Sequence, residues 1–201
     1  MIAATQYRAL PQVMVSVDGC YVQEAFNPPP VRADSPAVEV MTDLSRIASA
    51  TVLPDATLDE ANHSMILRGV RLLFVVAEDE MQRIMGVVTT TDILGEKSVL
   101  IAQARRCKRN ALLISDVMAP VESMEALDLD EVKKASVGNI VATLKRDARA
   151  HALVVGRGRD GLQHVVGIFS ASQIARQLGV QIQTHEMART FAEIEALIVG
   201  V

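Results

Sequence analysis

The stretch Gly86-Val87-Val88-Thr89-Thr90-Thr91-Asp92 sets a hydroxyl and a carboxylate three positions apart, where an apolar run gives way to a new segment. A carboxylate has two acceptor oxygens and can take both hydroxyls of a sugar diol, and a neighbouring Thr hydroxyl adds a polar contact. Free N–H groups at a helix start suit sugar or phosphate oxygens. Gly86 lets the backbone approach a ligand closely, because it has no side chain. The same residue types also serve a helix with no ligand at all, since a Thr N-cap with an acid at N3 is a favourable helix start by itself.

These residues need elements to position them, and the sequence contains the required set twice. In residues 56–94, Thr57 and Glu60 form a T-x-x-E capping box that opens a helix. Leu58, Ala61 and Met65 fall on one helical face, and Gly69 sits where the helix should stop. Leu72 to Ala77 is a short apolar run that reads as a buried strand, followed by the charged turn Glu78 to Gln82 and a second strand from Arg83 to Thr89. The loop is short, so the strands pair as a hairpin. A helix follows from about Thr90 and is expected to continue through Ser98 to Ala104.

Residues 135–175 repeat this order. Ser136 opens a helix with Val137, Ile140, Val141 and Leu144 on one face; Ala152 to Gly156 and His164 to Ser170 are the two strands. Val75-Val76 aligns with Val154-Val155, Gly86 with Gly167, Thr89 with Ser170 and Ile93 with Ile174. Each unit is preceded by a Val-Met pair, Val40-Met41 and Val117-Met118, and by a first strand, Ala50 to Pro54 and Glu125 to Leu129. One unit, read as strand, helix, strand, strand, helix, is too small to bury its apolar face well, so the two should pack together in an α+β fold.

The Val-Met pair, helix, apolar strand, charged turn and G-h-h-[ST]-x-x-D order resembles the CBS (cystathionine β-synthase) domain, and two in tandem resemble a Bateman module. The resemblance spans about residues 36–179. The chain divides accordingly into an N-terminal extension and linker at 1–36, a first repeat at 37–104, a basic linker at 105–113, a second repeat at 114–179 and, outside the family pattern like the N-terminal extension, a C-terminal helix at 180–201. The resemblance implies that Thr89 and Asp92 hold a ribose, the role of [ST]-x-x-D in adenosine-binding members. By family geometry Ser45, Ala48, Val52, Leu53 and Gly86 would line the pocket, and Arg71 and His151 would meet phosphate oxygens. For Arg71 a solvated surface position is the alternative, and for His151 an ordinary strand edge. In the second copy, Ser170 and Gln173 retain a capping box but lose the carboxylate, so a second site there should be empty, weak or altered. AMP, ADP, ATP or an adenosylated ligand such as S-adenosylmethionine fits the family, with no required cofactor. A homodimer and a target protein are the implied partners.

Composition bounds the alternatives. Half of the 201 residues are apolar and mean hydropathy is positive, which describes a folded chain of one large or two small domains. Aromatics are 3% and Trp is absent, against stacking platforms for single-stranded nucleic acid. A net charge of −4 attracts no polyanion. Arg105, Arg106, Lys108 and Arg109 are a local exception, read as a solvated linker or an anionic contact. No run approaches the roughly 18–20 apolar residues of a membrane span. The N-terminus lacks the pattern of a secretory signal. Cys20 and Cys107 are isolated, as expected of reduced thiols in a cytoplasm, and His63, His151, His164 and His185 have no metal-ligand spacing. No catalytic constellation or nucleotide fingerprint occurs in a fitting context, so a regulatory sensor is expected and not an enzyme. The rival readings are a ligand-free interaction scaffold and, more weakly, a nucleic-acid binder. Outside the repeats, Asp18-Gly19 suggests an N-terminal hairpin, and Thr184 can cap a helix carrying Met187, Phe191, Ile194 and Ile198.

Overall fold

The computed structural model describes residues 29–79 and 82–179, with the single positions 11, 12, 14 and 194. The expected N-terminal hairpin and, apart from Ile194, the C-terminal helix lie outside the described residues. In chain order, a 3₁₀ turn (Ala37–Val40) leads into β1 (Thr42–Asp43), β2 (Thr51–Val52), α1 (Leu58–Arg68), β3 (Leu72–Val76) and β4 (Ile84–Thr89). Next come α2 (Thr90–Leu94), α3 (Glu96–Ala104), α4 (Ile114–Val117) and β5 (Ala119–Pro120). The second half has β6 (Ala126–Asp128), α5 (Leu129–Val132), α6 (Val137–Arg146), β7 (His151–Arg157), β8 (Gln163–Ser170) and α7 (Ala171–Gln177). None of the described helices is long and apolar enough to cross a membrane.

The local signals act as the sequence suggests. Thr57 Oγ1 accepts from the Glu60 N–H at 3.2 Å, and Glu60 Oε2 accepts from the Thr57 N–H at 2.8 Å, a reciprocal box that satisfies two orphan donors of α1. Gly69 ends α1 at φ 64°, the left-handed conformation that glycine adopts without strain. The expected unbroken helix after Thr90 is instead two. The chain extends at Gly95 (φ −86°, ψ −171°), so α2 stops and α3 starts in a new direction. Ser98, fully buried, donates from Oγ to the Ile93 carbonyl at 2.8 Å and holds the break.

Among the described residues there are two four-stranded sheets, in the orders β2-β3-β4-β5 and β6-β7-β8-β1. In each, a parallel pair (β2 with β3, β6 with β7) is followed by an antiparallel hairpin (β3 with β4, β7 with β8). The fourth strand of each sheet is supplied by the segment that introduces the other repeat. The strand before the first repeat, β1, pairs with β8, and the strand before the second, β5, pairs with β4. The exchange reaches beyond the strands. Ala37 N–H donates to the Ala135 carbonyl and Val137 N–H to the Ser35 carbonyl, both at 2.9 Å, while Ile114 N–H donates to the Ala56 carbonyl at 2.9 Å. Val31, Ala37 and Val40 are accordingly buried with Val137, Ile140, Val154, Phe169 and Ile174 of the second repeat, joined by Ile194. Leu112, Ile114 and Val117 are buried with Leu58, Met65, Leu73 and Ile93 of the first. Each repeat thus has its own core, completed by the segment that introduces the other.

The sheets meet through a third cluster, Leu72, Phe74, Val76 and Leu153, with Leu44, Val87, Met124 and Ile168 against it. This explains why all five residues of β3 are buried: helix α1 covers one face and the other repeat covers the second.

Candidate functional site

Where the two sheets meet, a cleft of about 1000 Å³ opens. One wall is the end of β4 and the start of α2, from Thr89 to Asp92, with Gly95 behind it. The segment after β5, Ser123 to Glu125, also lines it, as do Arg71 and Leu72 from before and within β3 and Ala150, His151 and Leu153 from the matching place in the second repeat.

Main-chain bonds explain how both halves reach this cleft. Thr90 N–H donates to the Arg71 carbonyl at 3.1 Å, and Ala171 N–H donates to the Ala150 carbonyl at 2.9 Å. Register sets Leu72 opposite Thr89 and His151 opposite Ser170. Thr89 caps α2 in a complete box: Asp92 Oδ2 accepts from the Thr89 N–H at 2.9 Å and from Thr89 Oγ1 at 2.6 Å. Asp92 Oδ1 accepts from Lys97 Nζ at 2.8 Å. Capping and cleft lining are therefore properties of the same two side chains.

The charges of the cleft are partly paired. Arg149 reaches Glu125 at 3.2 Å. Arg71 is exposed and has no carboxylate partner among the described residues. His151 is half-buried, and desolvation followed by the nearby Arg71 charge pushes its pKa down to about 4, so the imidazole is neutral at pH 7. The described residues contain no group of three or more His, Cys, Asp or Glu arranged to hold a metal ion.

Of the residues singled out in the sequence, Thr89, Asp92, Arg71 and His151 converge on this cleft. Ser45, Ala48, Val52 and Leu53 do not line it. Ser45 N–H and Oγ donate to Asp43 at 2.9 and 2.6 Å, Val52 packs on the core of the first repeat, Ala48 is exposed and Leu53 is partly so. The cause is the strand exchange, which brings Ser123, Met124 and Glu125 to the wall that Ser45 and Ala48 were expected to form. Their position just after the second Val-Met pair was the only signal that could have found them.

Gly86 is also placed differently. It does not line the cleft; it faces the exchanged strand, and a Cβ there would lie 2.3 Å from the Ala119 carbonyl oxygen. Its counterpart Gly167 instead faces the Met41 side chain.

At the second copy the expected Ser–Gln capping box is absent. Ser170 makes no side-chain cap and its hydroxyl pairs with Ser172 at 3.0 Å. Gln173 Oε1 instead accepts from Thr42 Oγ1 at 3.1 Å, so the exchanged β1 occupies the amide. At the matching point on the other side stands Ala119, which has no polar side chain to offer Asp92. Two of the four cations of the basic linker are tied into the fold: Arg105 pairs with Asp116, and Arg109 donates to the Ile93 carbonyl at 3.0 Å and to Ser98 Oγ at 3.3 Å.

Comparison with known proteins agrees with this architecture. Residues 37–98 match the family model of the CBS domain. No curated protein matches the chain. Among solved structures, an uncharacterized conserved protein from Pyrococcus horikoshii superposes with a TM-score of 0.53 at 17% identity, over 77% of this chain and 100% of that one, which shows a shared fold. A CBS domain pair crystallised with 5′-methylthioadenosine and S-adenosyl-L-methionine gives a TM-score of 0.48 at 19% identity, over 75% of this chain and 98% of that one. An Arabidopsis thaliana CBS-pair protein in complex with AMP gives 0.47 at 20% identity, over 71% and 94%.

Proposed function

We propose that this chain, whose residues 37–98 match the CBS domain, is a CBS domain pair acting as a cytoplasmic regulatory sensor of an adenosine-containing ligand, with Asp92 and Thr89 receiving the ribose. The observation that carries the reading is the position of the Thr89–Asp92 pair on the wall of a cleft of about 1000 Å³ between the repeats. That volume is ample for a nucleotide, since small-molecule sites run from roughly 300 to 1,000 Å³. Apolar Leu72, Val87, Met124 and Leu153 offer a surface for a base, and Arg71 supplies donors for a phosphate. The Thr42–Gln173 bond supports a single functional site in the pair.

The signal leaves through contacts with a second copy or a target protein. Ile66, Leu67, Leu94, Val99 and Leu100 are exposed on the helices of the first repeat, apolar side chains available for such contact. A ligand that binds one arrangement of that assembly more tightly shifts its population. The ligand-free scaffold draws support from one observation, the engagement of Asp92 by Thr89 and Lys97. The ties of Arg105 and Arg109 argue against a nucleic-acid surface.

A thermal-shift panel of AMP, ADP, ATP and S-adenosylmethionine, with light scattering on the same samples, tests the reading. A ligand at a hundred times its dissociation constant adds roughly 2.7 kcal/mol, and Asp92→Ala abolishes the shift. A panel without any shift favours the scaffold; a shift that survives Asp92→Ala moves the site elsewhere.

A further inference from the structure

Asp92 holds an internal counter-ion. The Thr89 N–H and hydroxyl both bond Oδ2, at 2.9 and 2.6 Å, which fills the two lone-pair directions of that oxygen. Lys97 Nζ stands on Oδ1 at 2.8 Å. A diol that needs this carboxylate meets a cation already seated there.

The seat is built by the fold. On an unbroken helix, residues five apart point about 140° away from each other, so Lys97 would face away from Asp92. The extended residue Gly95 redirects α3, and Ser98 and Arg109 pin the break through the Ile93 carbonyl. The second repeat has no such break in α7, and the residue five beyond Gln173 is the apolar Leu178.

With Asp92 taken by a sugar, the remaining groups of the cleft set its charge. Glu125 is held by Arg149, His151 is neutral at pH 7, and Arg71 has no acidic partner among the described residues. A sugar on Asp92 releases the Lys97 ammonium beside a cleft-lining carboxylate, in a cleft that already holds Arg71, which has no acidic partner among the described residues. The ligand that completes this arrangement is one whose sugar carries an anionic group.

We propose that Lys97 is an internal competitor for Asp92 that a ribose displaces and a phosphate group then receives, so that the cleft selects anionic nucleotides over neutral or cationic adenosyl compounds. The inference rests on the ribose role of Asp92.

The test is isothermal titration of AMP, adenosine and S-adenosylmethionine into the full chain and its Lys97→Ala variant. Wild type binds AMP more tightly than the other two. Lys97→Ala has opposite effects on AMP and adenosine: adenosine binds about two- to five-fold more tightly, because its competitor is gone, and AMP more weakly by a similar factor. Salt gives a second readout on the unaltered protein, weakening AMP binding while leaving adenosine unchanged or slightly tighter. Equal loss for both ligands in Lys97→Ala, or no change in their ratio, overturns the proposal while the sensor reading stands. If none of the three binds the wild-type chain, the sensor reading itself fails.

Discussion

Replacing Gly86 by alanine tests the strand exchange, on which the geometry of the cleft depends. A Cβ at Gly86 falls 2.3 Å from the Ala119 carbonyl oxygen and 3.2 Å from Pro120 Cα, both main-chain atoms of β5. The shorter contact is about 1 Å inside van der Waals distance, and backbone cannot rotate out of the way as a side chain can. Overpacking of this kind costs about 1–3 kcal/mol. Displacing β5 also disturbs the two paired positions Gly86–Pro120 and Val87–Ala119, at about 0.5–1.5 kcal/mol per hydrogen bond lost. The lower unfolded-state entropy of alanine offsets about 0.4–1 kcal/mol. The expected net loss is about 2–3 kcal/mol, read as a lower urea midpoint with an unchanged slope, or as a melting temperature lower by about 4–12 °C. Two variants calibrate it. Gly167→Ala meets the flexible Met41 side chain, with Sδ at 2.4 Å, and should cost about 1 kcal/mol or less. Gly156→Ala meets only ordinary contacts at 3.4 and 3.5 Å and should stay within about 0.5 kcal/mol. If Gly86→Ala is no worse than Gly167→Ala, the close approach of β5 is not what demands glycine at that position.

Two further perturbations concern titrating groups. His151 has a folded pKa of about 4 against an ordinary 6.5, so its contribution to stability is complete above pH 6.5 and is lost as pH falls toward 4. An NMR titration of the imidazole should show the low midpoint, and Arg71→Ala should raise it part of the way; a midpoint near 6.5 would remove the buried neutral imidazole from the site. Thr57→Ala should cost about 1 kcal/mol at pH 7 through loss of the N-cap. Because bonds from the Thr57 N–H and hydroxyl hold Glu60 below its ordinary 4.5, that gap should narrow as acidification below pH 4.5 protonates Glu60, which urea melts of both proteins at pH 3.5 and 7 would measure.

The local grammar of the chain was legible. The Thr57–Glu60 box, the apolar run of β3 and the Thr89–Asp92 cap depend on neighbours within a few residues, and each forms where those residue types prefer it. The helix break at Gly95 was missed because the apolar pattern of residues 98–104 fits one long helix equally well, and the decisive bonds come from Ser98 and from Arg109 in the linker. The capping role expected of Ser170 and Gln173 failed because Thr42, 131 positions away, takes the amide.

The site divides along the same line. Residue type and spacing determined that two like units occur in tandem, and that Thr89 and Asp92 share a helix start. Which residues share the cleft with them was decided only by the fold. Each Val-Met segment leaves its own repeat and completes the sheet and core of the other, so Ser123 to Glu125, not Ser45 and Ala48, line the cleft with them. The reason is energetic: a single unit leaves one face of its sheet and the end of its core open to water, and burying both requires chain from its twin. Spacing along a sequence does not record which twin supplies it.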